Sequence, residues 1–117
     1  MTDPLVELRD ALRAFAVERD WDQFHSPRNL AAALAVEAAE LLEPFQWLTD
    51  EQSRELTPAT RAAVEDELAD VLLYLVRLAD KLDVDLVQAA HGKIAKNAAK
   101  YPVETSRGTS RKYTDFD

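Results

Sequence analysis

Apolar residues recur three and four positions apart along most of this chain, and no run alternates with the period of two that a strand requires. Leu5, Leu8, Leu12 and Phe15 set the period of a first helix over residues 3–19, with Asp3 as cap and Pro4 in the first turn. Ser26-Pro27 and Thr57-Pro58 repeat that signal. They predict a second helix to about Glu43, stopped by Pro44, and a long one to about Leu82. The long helix has Val64, Leu68, Val71, Leu72, Leu75, Leu78 and Leu82 as its core stripe. A short link, Phe45 to Leu48, and one or two turns over Asp50 to Leu56 lie between them. Asp83 or Asp85 caps a last helix that runs to Lys100, before Tyr101-Pro102. The prediction is an all-α helical bundle: four main helices and a short helical link in one domain, 1–117, with a polar tail from about 103. A helix of some 25 residues spans roughly 37 Å, more than a small globule needs, so the core is expected to be completed by oligomerisation.

Residues 30–42, LAAALAVEAAELL, hold only two polar side chains, Glu37 and Glu40. A helix apolar on nearly every side is expected to be buried on nearly every side. Carboxylates are rarely buried alone, and at i and i+3 they project toward the same object. Glu67 and Asp70 repeat the spacing on the long helix; from Leu68 to Ala79 only Asp70 and Arg77 are charged. The spacing itself is common, as Glu7/Asp10, Glu40/Glu43 and Asp80/Asp83 show. What sets the two pairs apart is their apolar surroundings. Two packed helices would gather Glu37, Glu40, Glu67 and Asp70 into one four-carboxylate cluster.

Charge and composition narrow the chemistry. Between Glu37 and Asp70 lie ten acidic and two basic residues, whereas Lys93 to Lys112 holds six basic residues against Glu104 alone. An acidic middle and a basic end suit a ligand that is both metal-bound and polyanionic. The net charge of −8 argues against general affinity for nucleic acid. No apolar run is long enough for a membrane span, no signal peptide opens the chain, and zero cysteines fit a cytoplasmic protein without disulfides or thiolate metal sites. An all-oxygen site selects Mg²⁺, with Mn²⁺ as a substitute, over zinc. Mg²⁺ keeps several waters and shares substrate phosphates, which points to phosphoryl chemistry.

The segment FAVERDWDQFHSPRNLAAALAVEAAELLEPFQW (15–47), the run ELADVLLYL (67–75), KYP (100–102) and the tail SRGTSRKYTDF together resemble the MazG-like all-α nucleoside triphosphate pyrophosphohydrolases, most closely their dCTP pyrophosphatase branch. The resemblance covers roughly residues 5–113. It implies hydrolysis of a (deoxy)nucleoside triphosphate to monophosphate and pyrophosphate by water attack on the α-phosphorus, in a homodimer or homotetramer. It implies Glu37, Glu40, Glu67 and Asp70 as Mg²⁺ ligands, with Glu40 or Glu37 also orienting or deprotonating the water. Trp21, His25, Trp47 and Tyr74 fall on positions of the base and sugar pocket, where aromatic faces stack a base. Lys93 and Asn97, with Lys100 on the same helix face, would hold the triphosphate. His91 has no such counterpart.

Two rivals stand beside this reading. One is the same chemistry on another base; the other is a non-catalytic helical interaction module whose acids face water. A ferritin-like di-metal oxidase would need histidine three residues after a ligand glutamate, and neither pair has it.

Overall fold

Five of the helices in the computed structural model begin at an oxygen-bearing side chain that accepts a backbone N–H of the first turn. The structure describes residues 3–115; Phe116, the last residue of the SRGTSRKYTDF tail, and Asp117 lie outside them. Asp3 caps α1 (Pro4–Glu18), Ser26 caps α2 (Pro27–Leu42) and Thr57 caps α4 (Pro58–Lys81), each followed by proline in the first turn. Proline there removes only an N–H that has no helical partner. Between α2 and α4, α3 (Asp50–Arg54) is a short helix closed by a capping box between Thr49 and Gln52. Asp85, not Asp83, caps α5 (Leu86–Lys100). The fold class is all-α, with no strand among the described residues. The tail is not wholly irregular: it holds a turn of helix, α6 (Val103–Ser106), and a 3₁₀ turn at Tyr113–Asp115.

Contacts divide the chain into two units, one ending at Asp83 and the other beginning at Val84. In the first, α4 is the axis: α2 packs along it most extensively, and α1 packs beside it. Ala16, Leu30, Val64, Val76 and Ala79 are buried there. In the second unit, α5 leads into the tail, where the Tyr101 and Tyr113 rings meet edge to face at 6.1 Å.

Two expectations about burial need correcting. Within 30–42 only Leu30 is buried; Val36 and Leu42 remain 56% and 62% exposed. On α4 the stripe is likewise half open, with Leu68 52% exposed, while Val76 and Ala79, outside the expected stripe, are buried. The physical reason is a shortage of covering elements: α1 and α2 together shield only part of the apolar surface that α2 and α4 carry.

The end of α1 sets the direction of the next segment. Asp20 takes a left-handed backbone (φ 54°), the Asp20 N–H bonds to the Val17 carbonyl and the Trp21 N–H to the Ala16 carbonyl at 2.9 Å. This is a Schellman closure in which aspartate occupies the position glycine usually takes. It turns the chain sharply into a 3₁₀ turn, Asp22–Phe24, and so brings Trp21 and His25 back toward α1 and α4.

Candidate active site

The acidic pairs of α2 and α4 meet across the contact between the two helices. One carboxylate oxygen each from Glu37, Glu67 and Asp70 lies within 4.8 Å of the others. Glu40 is outside that group of three; its carboxyl is beside that of Glu37. Burial and the neighbouring Glu67 push Glu37 above the ordinary carboxylate value of 4.5, an effect that Glu40 opposes and the Asp70 charge reinforces. Glu40 is also raised, first by its contact with Glu37 and the charge there, then by burial and the charges of Glu43 and Asp70. Like charges forced together out of water favour the protonated form.

Glu37 Oε2 and Glu67 Oε2 are buried and have no hydrogen-bond partner. An unsatisfied buried carboxylate oxygen is unfavourable by itself, so two in one cluster call for a cation. The donors are hard oxygens, which fits a divalent metal ion rather than a soft one.

Asp70 also borders a cavity of about 260 Å³ in the same unit, near the small end of ligand pockets. Phe15, Trp21 and Tyr74 give it aromatic walls, and Leu12 and Leu73 extend the apolar lining. Its other polar groups are His25 and Arg77. Phe15 and Trp21 are packed edge to face at 5.7 Å, with the Arg19 guanidinium 3.6 Å above the Phe15 ring. An apolar slot with aromatic faces and a few polar groups suits a flat heterocycle.

Arg77 also belongs to a second ionic group, and here every charge has a partner. Arg77 pairs with Asp22 and, at 3.4 Å, with Asp80. Arg13 also pairs with Asp80, and Lys81 bonds to Asp22 at 2.6 Å. Lys81, then Arg77, hold Asp22 below the ordinary value of 3.8; Arg13 chiefly holds Asp80 below it. His25 is lowered from 6.5 by burial and by the charges of Arg77 and Lys81, against Asp22.

The structure therefore brings Trp21, His25 and Tyr74 around one cavity that Asp70, a member of the carboxylate group, also borders. Trp47 lies elsewhere, 86% exposed in the turn after α2, and is not a core residue of the single chain. Lys93, Asn97 and Lys100 are exposed on α5, in the second unit, where the Lys100 ammonium sits 4.8 Å above the Tyr113 ring. Arg77, Asp22, Leu12, Phe15 and Leu73 were not anticipated as site residues. For Arg77 a signal existed: besides Asp70 it is the only charge between Leu68 and Ala79.

The model of the MazG-like family matches residues 32–116. The chain is 50% identical over 114 residues to dCTP pyrophosphatase 1 of Bos taurus, covering 96% of this chain and 68% of that protein. The corresponding human protein is 48% identical, with 96% and 67% covered. The crystal structure of a pyrophosphatase from Archaeoglobus fulgidus superposes with a TM-score of 0.81 at 40% identity, covering 87% of this chain and 95% of that one. Among the described residues, no helix is long and apolar enough to cross a membrane.

Proposed function

Since this chain belongs to the MazG-like family, we propose that it is a Mg²⁺-dependent pyrophosphohydrolase of deoxynucleoside triphosphates that prefers dCTP. One observation carries the reading. Three carboxylates with two buried, partnerless oxygens adjoin an aromatic cavity, and Asp70 belongs to both. That juxtaposition suits a molecule with a polyphosphate at one end and a base at the other.

Glu37, Glu67 and Asp70, with Glu40 beside them, would hold Mg²⁺, or Mn²⁺ in its place. The ion would neutralise their charge and polarise the phosphate oxygens. Trp21 and Tyr74 stack the base, and His25 offers its edge a hydrogen bond. Glu40, beside Glu37 at the edge of the carboxylate group, accepts a proton from the attacking water. The new bond joins water oxygen to the α-phosphorus; the bond that breaks releases pyrophosphate and leaves the monophosphate. Lys93, Asn97 and Lys100 would bind the leaving phosphates, and Trp47, which lies away from the cavity of the single chain, would join a base and sugar pocket only from a second subunit. The protein acts as a homodimer or homotetramer, which would cover Val36, Leu42 and Leu68, apolar groups now open to water.

The test is pyrophosphate release from a panel of dNTPs with Mg²⁺. Turnover greatest with dCTP, and its loss in Glu40→Gln, is expected. No release from any dNTP, or release that is indifferent to divalent cations, would refute the proposal. If the ratio of dCTP to dATP turnover survives both Trp21→Ala and His25→Ala, the base pocket is assigned wrongly.

A further inference from the structure

Only 6% of Arg77 is exposed, and burying a guanidinium is unfavourable unless charges and hydrogen bonds compensate. Asp22 and Asp80 supply the compensation. The third contact is of another kind: Arg77 Nε–H donates to His25 Nδ1 at 3.1 Å. Arginine only donates and does not lose its proton, so Nδ1 must keep its lone pair. A neutral imidazole so held carries its hydrogen on Nε2. His25 borders the cavity, and its Nε2 has no protein partner among the described residues. The charged groups that bear on it are Arg77, Lys81 and Asp22. Two cations to one anion oppose a second proton on the ring.

We propose that Arg77 is a positioning residue that presents His25 Nε2–H as a fixed donor at the cavity wall, and so selects a nucleobase whose edge there offers an acceptor. This deepens the proposed nucleotide hydrolysis and rests on it. The unprotonated ring nitrogen N3 of cytosine satisfies the donor. A ring N–H at the same place, as on thymine N3, would set donor against donor, an arrangement expected to cost about ten- to a hundredfold in affinity.

The protein has two histidines, so long-range ¹H–¹⁵N NMR of the nucleotide-free chain can read both, with His25→Gln assigning the signals. His25 is expected to carry its proton on Nε2 in the wild type and to become a mixture of tautomers in Arg77→Leu. With dCTP, Arg77→Leu should raise KM about ten times more than it lowers kcat. Should that variant not fold, Arg77→Lys keeps a cation near Asp22 and Asp80 without the guanidinium fork, and the same readouts apply. In a His25→Gln background the substitution at 77 should no longer change the ratio of dCTP to dTTP turnover. A wild-type His25 protonated on Nδ1 overturns the proposal, as does an undiminished effect in the His25→Gln background. If the wild type hydrolyses no dNTP, the enzymatic reading fails instead, and the tautomer measurement still decides whether Arg77 fixes His25.

Discussion

The first unit holds two ionic clusters on α4, and they solve the problem of buried charge in opposite ways. Around Glu67 and Asp70, acids are gathered with oxygens left unsatisfied, and Glu37 and Glu40 are pushed toward their protonated forms. Around Arg77 and Asp80, each acid meets cations and is held in its charged form. The first cluster is frustrated until something positive arrives; the second is complete as folded. Frustration of that kind marks a binding site, whereas completeness marks a brace. The brace ties α1, the 3₁₀ turn and α4 together and supports the cavity wall between the clusters.

The sharpest way to break this contrast is to neutralise one member of each cluster. Glu67→Gln should lower pyrophosphate release at least about 100-fold, because a ligand is lost. In the absence of divalent cations it should leave the melting temperature unchanged or higher, since a repelling charge has gone. Asp80→Asn should do the reverse in urea unfolding, costing about 1–3 kcal/mol of stability as two guanidiniums lose their shared acid. Comparable destabilisation by both substitutions would erase the distinction.

The smallest expected effect is in the pH dependence of stability, and its signs differ between the clusters. Glu37 and Glu40 have folded values raised above 4.5, so their contribution is complete below 4.5 and is lost as pH rises through the folded values. Divalent-free protein should therefore gain melting temperature from them as pH is lowered toward 4.5, and Glu37→Gln should blunt that gain. Asp22 and Asp80 are lowered below 3.8, so their contribution is present above 3.8 and disappears as pH falls through their folded values. Asp80→Asn should flatten that acid limb. Calorimetry at a series of pH values, without metal, reads both.

What the sequence determined unaided was everything that depends on near neighbours along the chain. The cap-and-proline signals at Asp3, Ser26 and Thr57 mark the helix starts because the groups they satisfy lie within three residues. The i, i+3 acids stood out because their own helices are apolar around them. What only the tertiary structure decided is which of these features meet. That Glu37 faces Glu67 and Asp70, that Asp20 turns the chain so His25 reaches Arg77, and that α2 keeps an open apolar side all depend on how helices pack. Periodicity tells a helix which face to hide but not which partner will cover it, since one apolar stripe fits another almost regardless of order. Arg77 is the clearest case: along the chain it is one charge in a greasy helix, and only the fold sets it against a histidine 52 positions away.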